Sequence, residues 1–570
     1  MKVEHEVALT NMLSNVYAHE YSFTIEGIPP SEIYAWDDLG EIEYQAFIQP
    51  ETTRIALPFN QEVVGKDKTL NFGLSYFKND LIKKTGDVWE IIVPKLANFE
   101  QVENLSLQLE IPNEFGHVAF ISPNPVSQSI EAGYQIFKFT NEQISNSGVV
   151  AAFGEFQTFK FELTYHLENL ESKKIITEIA LPPDTSYQKI YYEAIEPEPE
   201  NVEVDSSGNW LAQYFLNPHQ ELEIKAKGMV KVFAKPYQLF TKPDDLDIFL
   251  QPTKYWPIDE ELVKEKVEDL KTVEQIYKFV VSSLAYDYSR VREGAKRLGA
   301  VNVLAEPNKA TCMEFTDLFI TLARAAGIPA REINGFAYTT NPQLRPLSLV
   351  QDVLHAWPEY WDEASGLWVQ IDPTWQNTTG GVDYLNKLDL GHFAFVIHGE
   401  EDSYPYPAGA YKVPGEYSKD VLVEFGKFQE IEPEENIELI FDVPELLASE
   451  MKTKGNLELF NLSPMAIYNF SITIDAKGVN AVLSEDDNGI LPPFASKSMP
   501  IELSSSRFFE TGPATITLKV NNRVFEKSFR VESILLRGII FIFASISLSL
   551  SVLYFYLRIR RKKIDSPEEV

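Results

Sequence analysis

The chain has 570 residues, of which 44% are apolar, 12% aromatic and 24% charged. This is the composition of a folded protein and excludes a disordered chain; at roughly 150 residues per domain the length predicts about three or four domains. Lysine and arginine total 50 against 84 aspartates and glutamates, a net charge of −34. That argues against a nucleic-acid partner, because such proteins draw affinity from neutralised phosphates. A single cysteine, Cys312, excludes an intramolecular disulfide and any multi-cysteine metal or iron–sulfur site.

Residues 1 to about 235 consist of short alternating runs rich in Val, Ile, Phe, Tyr and Thr, broken by Gly, Pro, Asn and Asp; Glu20–Ile25, Gln157–Leu163 and Glu221–Val232 are examples. The pattern predicts β-sandwich architecture, divided as 1–115 and 116–235 or built as one enlarged sandwich. Ile195–Gly208 reads either as an acidic linker or as a strand and tight turn, since Val202 and Val204 alternate before Asp205–Gly208.

The pattern changes after Pro257. Asp259–Leu270 and Thr272–Leu284 predict helices, the second with Val273, Ile276, Phe279, Val280 and Leu284 on one face. A third helix is predicted from Cys312 to Ala326, with Phe315, Leu318, Phe319, Leu322 and Ala326 as its apolar face and Gly327 and Pro329 as its stop. Strands follow at Ala330–Tyr338, Leu354–Trp361, Trp368–Asp372 and Phe393–Ile397, giving an α+β block over 236–400. Strand signals return at Ile437–Val443, Asn456–Phe460, Ile467–Ile474 and Thr515–Lys519, and predict an immunoglobulin-like β-sandwich stalk over 401–532.

Gly538–Leu557 is twenty residues without a charge, followed by Arg558, Arg560, Arg561, Lys562 and Lys563. That length crosses a hydrocarbon core of about 30 Å as a helix, so one transmembrane helix is placed at 533–557 and a basic tail at 558–570. The positive-inside rule puts the tail in the cytoplasm and the bulk of the chain outside the cell. Met1–Gly27 contains no apolar run of signal-peptide length. Export is then expected to use a leader ahead of the present Met1 or a route the sequence does not show. An inverted, tail-anchored orientation is the third reading, and the basic cluster disfavours it.

Cys312 falls at the predicted start of a helix, where free N–H groups and the positive end of the dipole favour a thiolate. Taken alone it reads equally as a small buried hydrophobe. In LHAWPEYW (354–361) His355, Trp357, Glu359 and Trp361 share one strand face. If Asp362–Ser365 forms the following loop, Trp361 faces Gly366, Glu359 faces Trp368, Trp357 faces Gln370 and His355 faces Asp372. Opposite residues on one face have Cβ atoms about 5 Å apart, so a carboxylate is expected within reach of the imidazole, where it would fix the tautomer and stabilise the cation.

The runs Thr311-Cys312-Met313-Glu314-Phe315, Leu322 to Arg331 and Asn334-Gly335-Phe336 resemble the core of transglutaminase-like proteins. His355-Ala356-Trp357-Pro358-Glu359 and Asp372-Pro373-Thr374-Trp375 resemble that family's histidine and aspartate motifs, and the order Cys, His, Asp is the same. The β-rich flanks are similar to those of membrane-anchored microbial members. The resemblance covers about 275–380. It implies a multidomain chain around a papain-like α+β transglutaminase core, in which a helix carrying the nucleophile Cys312 packs on an antiparallel sheet carrying the base His355 and the orienting Asp372. It also implies an oxyanion site made by the Cys312 N–H together with an aromatic donor, Tyr286 or Tyr288, both of which read equally as packing tyrosines. The family's glycine two residues before the cysteine is Ala310 here, whose methyl group could disturb the loop or narrow the approach to the thiol.

The expected activity is thiol acyl transfer on a peptide or glutamine side-chain amide, ending in cross-linking with an amine or in deamidation or proteolysis with water. The expected partners are a protein or peptide substrate and the membrane; no cofactor and no nucleic acid are expected. One rival is a catalytically decayed cell-surface binding or scaffold protein with the same fold. Another is a metal site of His355, Asp372 and Cys312 with His392 or His398, although no HExxH or paired-cysteine spacing exists. His392 and His398 otherwise read as flanks of the Phe393–Ile397 strand.

Overall fold

The computed structural model describes residues 1–97, 102–145, 147–237, 243, 245–292, 295–339, 344–347, 354–411, 419–427, 435–468, 470–483 and 489–564. Before residue 235 the strands form three groups, each of two sheets around a shared apolar core. The first spans Lys2–Phe77 and packs Ile25, Ile55, Leu57, Phe72 and Leu74 together. The second spans Ile82–Phe153, with Ile91, Leu109, Ile121, Phe137 and Phe153 in its centre. Residue 115 lies inside this second group, because Ser106–Pro112 pairs with Tyr134–Thr140. The third spans Phe156–Phe233 and recruits a strand from far along the chain: Val421–Phe425 pairs with Phe159–Leu163. Within it Asn201–Val204 pairs with Trp210–Leu216 through a turn at Asp205–Asn209, so the acidic stretch at 195–208 is a strand and turn, not a linker.

The α+β block holds a four-stranded antiparallel sheet in the order Leu367–Gln370, Leu354–Asp362, Ala330–Ala337, His392–His398. The helix Cys312–Ala325 packs on its two central strands and on the helices Glu261–Val267, Val273–Ser283 and Ala300–Ala305. Its start is fixed by a capping box, in which the Glu314 carboxylate accepts from the Thr311 N–H (2.8 Å) and hydroxyl (2.6 Å). Its stop is Gly327 at φ +81°, a conformation that glycine takes without strain. The sequence pattern predicts a one-sided amphipathic helix, but Glu314, Thr316, Asp317, Thr321 and Arg324 are buried as well. The helix is central; the charged groups of Glu314, Asp317 and Arg324 find internal partners, whereas the buried Thr316 and Thr321 hydroxyls make no hydrogen bond.

Asp317 accepts from Trp256 Nε1 (2.7 Å) and Arg297 Nε, and Arg297 reaches on to Glu332 (2.6 Å). Glu332 in turn meets His398 Nδ1 at 2.7 Å, and His398 Nε2 donates to the Pro405 carbonyl. His398 is thereby a structural member of this buried ion network.

The outer edge of the sheet, the His392–His398 strand, is covered by the third β group. Gln188 exchanges hydrogen bonds with the Ala394 N–H and carbonyl (2.8 and 2.9 Å), and Asn209 does the same with Ile397 (2.7 and 2.8 Å). An edge strand closed by two side-chain amides cannot pair with another chain at those positions. After residue 435, two further four-stranded sheets share a core around Leu457, Leu459, Ile501, Ile516 and Leu518. The chain ends in the helix Ile534–Ile564, of which Ile534–Arg561 is long and apolar enough to cross a membrane and is unburied. Glu450 accepts from the Ile534 and Leu535 N–H groups (3.1 and 3.2 Å) and so caps that helix from the preceding β unit.

Arg297→Met leaves Asp317 and Glu332 buried without their shared cation. The expected cost to the core is about 3–5 kcal/mol, read as a lower apparent unfolding temperature of the detergent-solubilised chain. Glu306→Ala, which removes only an exposed contact with Lys309, should leave that temperature within a degree or two of the parent.

Candidate active site

The three residues expected to act together converge in the fold. Cys312 opens the central helix and is fully buried. His355 lies on the adjacent strand opposite Gly335, and Asp372 is the N-cap of the short helix Pro373–Thr378. His355 Nε2 donates to Asp372 Oδ2 at 3.0 Å. Asp372 Oδ1 accepts from the Trp375 N–H (3.0 Å), and the Asp372 carbonyl accepts from the Tyr277 hydroxyl (2.9 Å). The imidazole is held between Trp375 and Trp357, with ring centroids at 5.1 and 5.9 Å and interplanar angles of 23°. His355 Nδ1 makes no hydrogen bond, and Cys312 lies close enough to act on the ring.

The route to this contact differs from the expected one. Trp361 pairs with Trp368 and Glu359 with Gln370, a shift of one position in the loop, which is Glu363–Gly366. In that register Asp372 would face Trp357, not His355. The strand ends at Gln370, however, and the chain turns into the cap of the next helix. That turn brings the carboxylate beneath the imidazole.

Burial would lower the His355 pKa, but the Asp372 carboxylate outweighs it, Cys312 adds a smaller push in the same direction, and the result is about 9. Burial would raise Asp372, yet the facing His355 and then His392 hold its carboxyl well below the usual range.

Tyr286 forms a bridge with Ala310, which brings it beside the Cys312 turn. Its hydroxyl is buried and makes no hydrogen bond, and its pKa is pushed far up by burial and then by Cys312. It is therefore a protonated donor with no assigned acceptor. Tyr288 packs on Tyr286 with centroids at 4.9 Å and is half exposed. The Cys312 N–H sits in the first helical turn, where no intrahelical acceptor exists. Ala310 has φ −80° and ψ 141°, extended backbone that alanine adopts without strain, so its methyl group does not distort the loop.

Sequence reasoning placed His392 at a strand flank or in a metal set. Its Nε2 lies 3.4 Å from Asp372 Oδ2 and its Nδ1 2.8 Å from Asp389 Oδ1. His355, Asp372 and His392 offer ligand-type atoms within 4.8 Å of one another. Both imidazoles already satisfy the carboxylate through hydrogen bonds, and Cys312 is not in that group of three. Asp389 itself was missed. The spacing in Asp389-Leu390-Gly391-His392 was the available signal, an aspartate three residues before a histidine at the start of an apolar strand.

The His355 pKa in the folded chain lies above its unfolded value. Its contribution to stability is therefore complete below about pH 6.5 and is lost as pH rises through about 9. His392, also raised to about 9, contributes in the same window. The apparent unfolding temperature should fall as pH rises across that window, and the fall should be shallower in His355→Gln, as differential scanning fluorimetry will show.

Residues 257–373 match the family model described as the Transglutaminase-like superfamily. A protein-glutamine gamma-glutamyltransferase of Pseudomonas aeruginosa is 35% identical over 79 residues, which are 14% of this chain and 12% of that protein's length. Among solved structures, a cysteine-protease candidate from Cytophaga hutchinsonii is 19% identical, with 48% of this chain and 99% of that chain covered and a TM-score of 0.31. Red sea bream transglutaminase is 10% identical, with 65% and 80% covered and a TM-score of 0.18. Overlaps at those scores carry no weight, whereas the family-model match falls on the segment that holds Cys312, His355 and Asp372. Over residues 257–373 the chain thus carries a domain of the transglutaminase-like superfamily.

Proposed function

We propose that the chain is a membrane-anchored cysteine acyltransferase or peptidase working outside the cell, with Cys312 as nucleophile, His355 as acid and base, and Asp372 as the residue that orients His355. The observation that carries this reading is the buried His355, bonded through Nε2 to Asp372, with Nδ1 in no hydrogen bond and Cys312 close enough to act on the ring.

In the first step the Cys312 thiol passes its proton to His355 Nδ1, and Sγ attacks the carbonyl carbon of a peptide or glutamine amide. The developing oxyanion is met by the Cys312 N–H and the Tyr286 hydroxyl. The C–N bond breaks as His355 Nδ1 gives its proton to the leaving amine, and a thioester remains on Cys312. In the second step water or an amine transfers a proton to His355 and attacks the thioester, which releases the acyl product and returns the thiol. The apolar helix Ile534–Arg561 favours a single-pass anchor. The cations at 558–563 favour a cytoplasmic C-terminus, which leaves outside a region still more acidic than the chain's −34.

The complete burial of Cys312 favours one second reading, a binding or scaffold protein whose thiol no substrate reaches. Iodoacetamide labelling of the folded chain separates the two: labelling at neutral pH is expected of the enzyme, and labelling only after denaturation supports the scaffold. Cys312→Ala should abolish amide turnover. Asp372→Ala should lower kcat by about 10²–10⁴-fold with KM little changed. Full turnover in Cys312→Ala would refute the proposal.

A further inference from the structure

We infer that His392 is a buried positioning residue, charged at neutral pH, that shares the Asp372 carboxylate with His355 and tempers its hold on the His355 proton. The inference deepens the acyl-transfer reading and rests on it for its kinetic consequence. His392 lies beyond the 257–373 segment that the family model matches.

The donor and acceptor inventory leads to the charge. Both nitrogens of the buried His392 ring face carboxylate oxygens, Nδ1 toward Asp389 and Nε2 toward Asp372. An ionised carboxylate only accepts hydrogen bonds, so both ring nitrogens must donate, and a ring that donates twice is an imidazolium. The two carboxylates are ionised for independent reasons. Asp389 also accepts from the Gly391 N–H (2.8 Å) and the Tyr384 hydroxyl (3.1 Å), and Asp372 from Trp375 and His355. Burial alone would discharge His392, yet Asp389 and Asp372 together raise its pKa to about 9.

The remaining charged and titratable neighbours continue the alternation. Arg345 interacts electrostatically with Tyr384, Asp389 and Glu90 of the second β group. Tyr277 binds the Asp372 carbonyl, and Cys312 lies beyond His355. The ring is fixed by its surroundings, with centroids 4.6 Å from Trp375 and 4.9 Å from Trp357.

The backbone allows this approach through Gly335. A Cβ at that position would lie 2.2 Å from the Phe393 carbonyl, so the strand carrying His392 can come this close only beside glycine. The register shifts at the same place. Asp372 Oδ2 therefore serves two cations. A fixed positive charge on the same carboxylate oxygen weakens the pull on His355, which must surrender its proton to the leaving amine during catalysis.

The test uses the full chain in detergent with carbon-13-labelled histidine rings. Of the eight histidines, the His392 resonance is the one missing in His392→Gln, and the His355 resonance the one missing in His355→Gln. The inference expects the His392 signal to stay at the imidazolium position from pH 6 to pH 8. It expects the His355 midpoint to rise by about one pH unit in His392→Gln, as follows from removing a cation near its carboxylate partner. Asp389→Asn keeps the ring in place but removes the carboxylate that holds its charge, and it should move the His355 midpoint in the same direction. It also carries the test if His392→Gln fails to fold. In turnover assays His392→Gln should lower kcat while leaving KM unchanged. A His392 signal that titrates below pH 7, or a His355 midpoint unmoved in the folded variants, would overturn the inference. Full turnover in Cys312→Ala would sink the acyl-transfer reading instead, and the resonances would still decide the charge of His392.

Discussion

The site depends on one buried carboxylate. Asp372 has no exposure, and an isolated ion there would be costly to desolvate. The fold keeps it charged by giving both oxygens and the following turn a partner: the Trp375 N–H on Oδ1, two imidazoles on Oδ2, and the helix Pro373–Thr378 growing from it as N-cap. Everything else in the site follows from its position. It sets the His355 tautomer with Nε2 protonated, so that Nδ1 is the nitrogen left for Cys312. It ties the strand 354–362 to the strand 392–398 across the intervening strand 330–337.

The flanking β groups bear on this arrangement and are more than spacers. Gln188 and Asn209 of the third group cover the strand that carries His392. From the second group, Ser122 accepts from the Asp383 N–H, and Lys387 donates to the Ile121 carbonyl and to Asn124. These bonds hold the loop between Thr378 and His392, which also carries Asp389 and Tyr384. The second group meets that loop in a separate apolar cluster that joins Val88 and Phe120 to Tyr384 and Leu390. Substitutions in the β groups can therefore reach the site through the Asp389–His392 pair without touching Cys312.

The central α+β block was legible in the sequence because its signals are local. Helix periodicity, the Gly327 stop and the spacing of Cys312, His355 and Asp372 all survive in the structure. The hairpin register was not legible, because the loop at 362–366 allows more than one turn and nothing in the strand faces distinguishes them. The His355–Asp372 contact held for a different reason. A shift of one loop position preserves the face, and the chain leaves the sheet at Ile371 in a direction that only tertiary packing sets. His392 was visible as a histidine, but its role depends on a strand joined to the site from the far side of Gly335, a long-range pairing that periodicity cannot report. The buried network of Asp317, Arg297, Glu332 and His398 escaped for the same reason, since a helix wetted on one face and a helix buried all round share the apolar stripe.

The central claim is that Cys312 forms a covalent acyl intermediate. Intact-mass spectrometry of the detergent-solubilised chain, quenched in acid during incubation with glutamine-containing and generic peptide libraries, tests it directly. The account predicts a transient mass increase equal to an acyl fragment, mapped to the Cys312 peptide, depleted by added amine and lacking in Cys312→Ala. An unmodified Cys312 throughout, in a chain that still turns over the peptides, would contradict it.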